Sequence, residues 1–199
     1  MANVVIIVPI LAFAFSLLFS SSLVASATGG RDEGYGIFGR TLDLNKLLGS
    51  KKEKLSHFRL YWHDVVGGKN PTSIPVVMPT NGSQTFFGMV NMMDNALTLS
   101  PNLTSKLVGR AQGLHAMTSQ HQLGALMAMN FVFMEGKYNG STITLLGHNS
   151  IFDAVREIPV VGGSGLFRFA RGYAQLRTHT FDTRTGDVIV EYNVYVLHY

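Results

Sequence analysis

Between His57 and Val66 the chain reads HFRLYWHDVV, with apolar and polar side chains alternating. Successive side chains of an extended strand point to opposite faces, so the pattern predicts a strand. Phe58, Leu60, Trp62 and Asp64 share one face, and His57, Arg59, Tyr61 and His63 share the other. The first face is apolar until it ends on a carboxylate. Two readings of Asp64 are open. It caps a turn at the wet end of the strand, or it is the acid of an apolar pocket, where an unpaired carboxylate costs several kcal/mol.

Comparable runs follow at 74–78, 84–93, 106–119, 123–135, 141–148, 166–181 and 188–199. Turn signals separate them: Gly67-Gly68-Lys69-Asn70-Pro71, Asn139-Gly140, Gly162-Gly163-Ser164-Gly165 and Thr185-Gly186-Asp187. Asn-Gly between alternating runs is a strong hairpin signal, because both central residues take positive φ. No helical pattern of roughly 10–15 residues lies between the runs, which argues against a parallel βαβ design. Short strands joined by short turns predict an antiparallel barrel or a two-layer sandwich. The segment 123–134, LGALMAMNFVFM, is apolar on both faces. One face fills the interior; the other predicts a subunit interface, since an antiparallel strand with one wet face alternates.

Ahead of the strands, residues 4–19 are almost continuously apolar and are followed by Ala25-Ser26-Ala27. This predicts a secretory signal over 1–27. The run is shorter than the roughly 20 residues of a spanning helix, so the mature chain is expected to have no membrane span. Residues 28–56 mix glycine with charge and predict a flexible arm, with a helical turn at Leu42–Leu48; the folded domain is expected over 57–199. Sequons at Asn81, Asn102 and Asn139 agree with a secreted glycoprotein, whereas Asn70 is excluded by Pro71. The chain has no cysteine, which removes disulfides, thiolate chemistry and iron–sulfur clusters. Its net charge is +4, and the one dense basic run, Lys51-Lys52-Glu53-Lys54, reads as a solvated flank, so no nucleic-acid partner is expected.

Candidate chemistry is sparse. His115 shares a face with Gly109, Ala111 and Gly113, whose small size leaves space beside it. A lone histidine there is more often structural than catalytic. Arg156 lies between acids and is either a surface ion pair or an inward cation suited to a phenolate or carboxylate. There is no G-x-S-x-G elbow, no H-E-x-x-H and no nucleotide-binding glycine pattern, and the seven histidines lack ligand spacing. No metal or other cofactor is expected. What remains is a binding protein or a cofactor-free acid–base catalyst.

Four stretches carry a resemblance: LYWHDVV (60–66), FGMVNMMDNALT (87–98), VGRAQGLHAMTSQ (108–120) and the long run 155–196. Together they resemble the plant dirigent proteins, nearest the branch that includes pterocarpan-forming members. The resemblance implies an all-β fold, an eight-stranded antiparallel barrel like that of allene oxide cyclase. It also implies secretion to the apoplast, no cofactor, and a homo-oligomer, a trimer ahead of a dimer. The implied activity is stereocontrol of phenoxy-radical coupling of monolignols such as coniferyl alcohol in lignan biosynthesis. A separate oxidase, a laccase or peroxidase, makes the radicals. By position the family's acid falls on Asp64 and its arginine on Arg156. Its tyrosine position is His115 here, and its second aspartate is Asn149. Asp64, Arg156 and His115 are thus the candidate catalytic residues, and Asn149 and Asp94 the candidate substrate-binding ones. Two other functions stay open: a pterocarpan-synthase-like dehydratase acting on an isoflavanol through a quinone methide, and a cell-wall binding or scaffold protein.

Overall fold

A computed structural model describes residues 41–199. The expected signal and the first part of the arm lie outside the described residues. From the rest of the arm, Leu44–Leu48 forms a five-residue helix, α1, capped by Asp43, whose Oδ1 accepts from Asn45 N at 2.9 Å.

Nine strands follow: β1 (Lys54–Asp64), β2 (Ser73–Val77), β3 (Val90–Thr98), β4 (Leu107–Met117), β5 (Gly124–Phe133), β6 (Thr142–Ser150), β7 (Arg156–Ser164), β8 (Arg171–Phe181) and β9 (Val188–His198). Each pairs antiparallel with its neighbours in the order β1-β9-β8-β7-β6-β5-β4-β3, and β1 pairs back onto β3. Eight strands therefore close an antiparallel barrel. Closure is staggered, because Tyr61–His63 of β1 face Thr98–Ala96 of β3, after which β2 takes up the edge of β3 from Met93 to Val90.

Two expectations about strands are corrected. β1 starts at Lys54 rather than His57, since Lys54, Leu55 and Ser56 pair with His198, Leu197 and Val196. The Gly162-Gly163-Ser164-Gly165 stretch is not a simple turn: β7 runs through Gly162–Ser164, and the chain turns only at Gly165–Phe167. Pro159 masks this strand in the sequence. It is tolerated because the ladder to β6 ends at Val160, so Pro159 has a paired strand only on the β8 side.

Alternation decides what fills the barrel. In β9, Val190, Tyr192, Val194, Val196 and His198 are buried, and in β5 Ala125, Met127, Met129, Phe131 and Phe133 are. At one end Phe58, Phe133, Tyr138 and Phe167 pack ring against ring, with centroids 5.0–5.9 Å apart, and close the lumen. His198 completes this plug, with Nε2 2.8 Å from Ser56 Oγ and Nδ1 3.1 Å from the Leu166 carbonyl. Outside, Leu126 and Met134 of the doubly apolar segment stay exposed at 37% and 47%.

A candidate active site in the barrel lumen

Asp64 is the last residue of β1, and alternation turns it inward after Leu60 and Trp62. It lines both an inner chamber of about 120 Å³ and an outer cavity of about 400 Å³ that opens at the mouth of the barrel. Burial raises its carboxyl from the ordinary 3.8 to about 6, against the pull of a hydrogen bond donated by Asn95 Nδ2 at 3.0 Å. The Ser73 hydroxyl also pulls downward, though it meets no partner in hydrogen-bonding geometry. Thr72 Oγ1 donates to Asn95 Oδ1 at 2.5 Å and so fixes the amide that faces the acid.

Three of the other candidates share this lumen. His115, on β4, lines both spaces and takes a 2.9 Å hydrogen bond at Nε2 from Asn91 Nδ2, which leaves its proton on Nδ1. Burial lowers its pKa, so the ring is a neutral donor. Asn149, near the end of β6, lines the inner chamber. Arg156, the first residue of β7, points inward rather than into a surface ion pair. Its Nη1 donates to the Ile151 carbonyl at 2.5 Å and to Thr178 Oγ1 at 2.9 Å. Burial lowers its pKa, partly offset by Tyr192 and Asp153, and a guanidinium stays charged throughout the usable pH range.

Asp94 is a correction. It sits on the outer face of β3, where its carboxylate pairs with Arg110 Nε at 2.5 Å and accepts from Gln112 at 3.1 Å. The inward residues of that strand are its neighbours Asn91, Met93 and Asn95, because a shift of one residue exchanges the faces. A second correction concerns Gly109 and Gly113. They do not open the lumen: a Cβ at either would run into the backbone of β5. Inward space comes instead at Ala125, which lines the inner chamber. The three sequon asparagines, Asn81, Asn102 and Asn139, are all exposed.

Sequence reasoning missed Asn91, Asn95 and Tyr192. The two asparagines hold the ring of His115 and the carboxyl of Asp64, and their signal was polar residues at even spacing on a buried face. Tyr192 lines the inner chamber beside Trp62, and burial raises its pKa. What the site offers a ligand is read from its orphaned polar atoms. Trp62 Nε1, His115 Nδ1 and Arg156 Nε are buried donors, and Asn91 Oδ1 and Asn149 Oδ1 buried acceptors, without a partner among the described residues. Buried polar groups are ordinarily paired with protein or ordered water, so five such atoms around one lumen leave hydrogen-bonding capacity there that the described residues do not use. An apolar wall, a carboxyl whose proton is held up to about pH 6 and a fixed cation can bind a phenolic ligand, give a proton to a departing hydroxyl or a carbonyl oxygen on it, and hold developing negative charge.

A family model described as dirigent-like protein matches residues 55–197, and this chain belongs to the dirigent family. Among curated relatives, Dirigent protein 7 of Arabidopsis thaliana is 54% identical over 162 residues, covering 81% of this chain and 86% of its own. Pterocarpan synthase 1 of Glycyrrhiza echinata is 45% identical over 156 residues, covering 77% and 83%. The solved structure of the pterocarpan synthase dirigent protein GePTS1 is similar at a TM-score of 0.71 and 44% identity, covering 75% of this chain and 88% of that one.

Proposed function

We propose that the lumen binds a phenolic substrate and that Asp64 is the general acid acting on it at the quinone-methide stage. The supporting observation is the buried carboxyl raised to about 6, facing a cavity with unpaired donors and a permanent cation. An acid with a pKa near the working pH is both protonated and willing to give its proton. In the coupling reading, a separate laccase or peroxidase generates phenoxy radicals from a monolignol such as coniferyl alcohol. The lumen orients two of them, and Asp64 then protonates the quinone-methide oxygen. Each tenfold in product ratio needs only about 1.4 kcal/mol of preference.

The second reading is favoured by the likeness to pterocarpan synthases and by Asn149, which cannot serve as a second acid. Here Asp64 protonates the benzylic hydroxyl of an isoflavanol, the carbon–oxygen bond breaks and water leaves. The phenol supplies the electron pair that forms the quinone methide and gives its proton to solvent, and its oxygen takes a proton back when the ring closes. A second phenol oxygen then closes on the benzylic carbon, and its proton returns to the Asp64 carboxylate. Arg156 and His115 stabilise the charge that develops on oxygen. Either reading carries with it secretion to the apoplast and assembly of copies through the outer face of β5.

Chiral product analysis tests both. Enantiomeric excess from coniferyl alcohol plus oxidase, seen only with the protein present, supports coupling. Turnover of an isoflavanol with no oxidant supports dehydration. Silence in both assays, with Asp64→Ala harmless in the plant, leaves the wall-binding reading.

A further inference from the structure

Three phenylalanines stand at the mouth of the lumen with much of their surface in water: Phe86 at 48%, Phe152 at 70% and Phe181 at 49% exposed. They come from separate segments, namely the connection between β2 and β3, the turn between β6 and β7, and the last position of β8. All three line the same 400 Å³ cavity as Asp64 and His115. Phe86 holds φ at +58°, a region that side-chain-bearing residues rarely adopt. Its loop is pinned there by Phe87 N to Ser83 Oγ at 2.8 Å, Thr85 Oγ1 to the Ser119 carbonyl at 2.7 Å and Met89 N to the Phe86 carbonyl at 3.0 Å. Strain of this kind persists where the surroundings over-determine it, and it gathers at ligand clamps. Phe169, at φ +62°, shows that strain alone is not the signal, since it turns the chain at the opposite end and lines neither lumen space. The signal is the convergence of three rings on one opening.

Size adds the second half. The inner chamber of about 120 Å³ matches a single aromatic ring, as an engineered cavity of about 150 Å³ takes up benzene. It cannot also hold a second ring. Asp64 and His115 border both spaces and so stand at the waist between them. We propose that Phe86, Phe152 and Phe181 form an aromatic collar that grips a second aryl ring, so that the lumen selects phenolics whose reacting carbon lies between two aryl rings. This rests on the reading of Asp64 as the acid. Offset and edge-to-face contacts from the collar supply the grip, and the inner chamber with Asn149 and Arg156 holds the first ring's oxygen.

The test is calorimetric binding to the full chain of an isoflavanol, as the two-ring probe, and coniferyl alcohol, as the one-ring probe. For the Phe152→Ala/Phe181→Ala double variant the expected result is about tenfold weaker isoflavanol binding, with coniferyl alcohol changed less than about twofold. Phe86→Gly, which suits the local φ, is expected to weaken the isoflavanol selectively while the melting temperature holds or rises. Equal weakening of both probes, or no change in either, overturns the collar. Asp64→Asn tests the acid apart from the collar: it is expected to abolish turnover while collar-dependent binding persists. Collar-dependent binding without any turnover in the parent protein removes the catalytic reading and keeps the collar. Turnover that ignores the collar variants does the reverse.

Discussion

The two ends of this barrel are built from the same strands and do opposite things. At the closed end, Phe58, Phe133, Tyr138 and Phe167 fill the lumen, and the buried polar side chains beside them are engaged, His198 through both ring nitrogens and Ser141 through its hydroxyl. At the open end the inward positions hold Ala125, Asn149, His115 and Asp64, and several polar atoms have no partner. Close-packed, satisfied interiors are what stabilise a fold. The open end forgoes that, and the closed end compensates for it. Stability and chemistry are segregated along the axis, so a substitution at one end should leave the property of the other largely alone.

The largest expected effect is on rate. Asp64→Asn should lower stereoselective product formation by about 100-fold or more, measured by chiral chromatography, without loss of folded protein; unchanged output would remove Asp64 from the chemistry. Next is Phe167→Ala, fully buried in the plug, which should cost about 3–5 kcal/mol in a urea melt while the surviving folded fraction keeps its product ratio. A matching loss of selectivity would show that the ends are coupled. Third is pH. The folded state holds the Asp64 proton more tightly than the unfolded chain, so stability should rise as pH falls through about 6 and level off below 3.8. The gain is at most about 3 kcal/mol, and Asp64→Asn should flatten that slope. Glu191, held down at about 2 mainly by the hydrogen bond from Arg59, acts with the opposite sign, losing its contribution as pH falls from 4.5 toward 2. The windows barely overlap. Smallest is Asn149→Leu, which removes an orphaned acceptor and should change stability by about 1 kcal/mol or less while weakening a phenolic ligand measurably in calorimetry. No effect on the ligand would take Asn149 off the binding surface.

Much of the barrel could be read in advance wherever a strand alternates. Asp64 was found because its face could be followed residue by residue from Phe58. On β3 no such face was followed, and Asp94, named beside the family resemblance, proves to lie on the outer face next to the buried Asn95. β7 escaped because Pro159 and two glycines look like punctuation until the shifted ladder to β6 is seen. The glycines of β4 were misjudged because the sequence does not say what occupies the room a missing side chain leaves; here a neighbouring backbone does. The collar phenylalanines lie far apart in the chain and share no period, so only folding brings them together.

The way β1 meets β3 has a bearing on how anything gets in. Eleven aligned residue pairs fasten β1 to β9, but only three, Tyr61 to His63 against Thr98 to Ala96, stitch it to β3. A cylinder sewn so lightly along one side comes undone there first, and both Asp64 and its amide partner Asn95 lie directly past the last stitch. Those backbone amides of 96–98 that point at β1 should therefore shed their protons to heavy water sooner than those along β9, as the wall breathes beside the acid without the molecule unfolding.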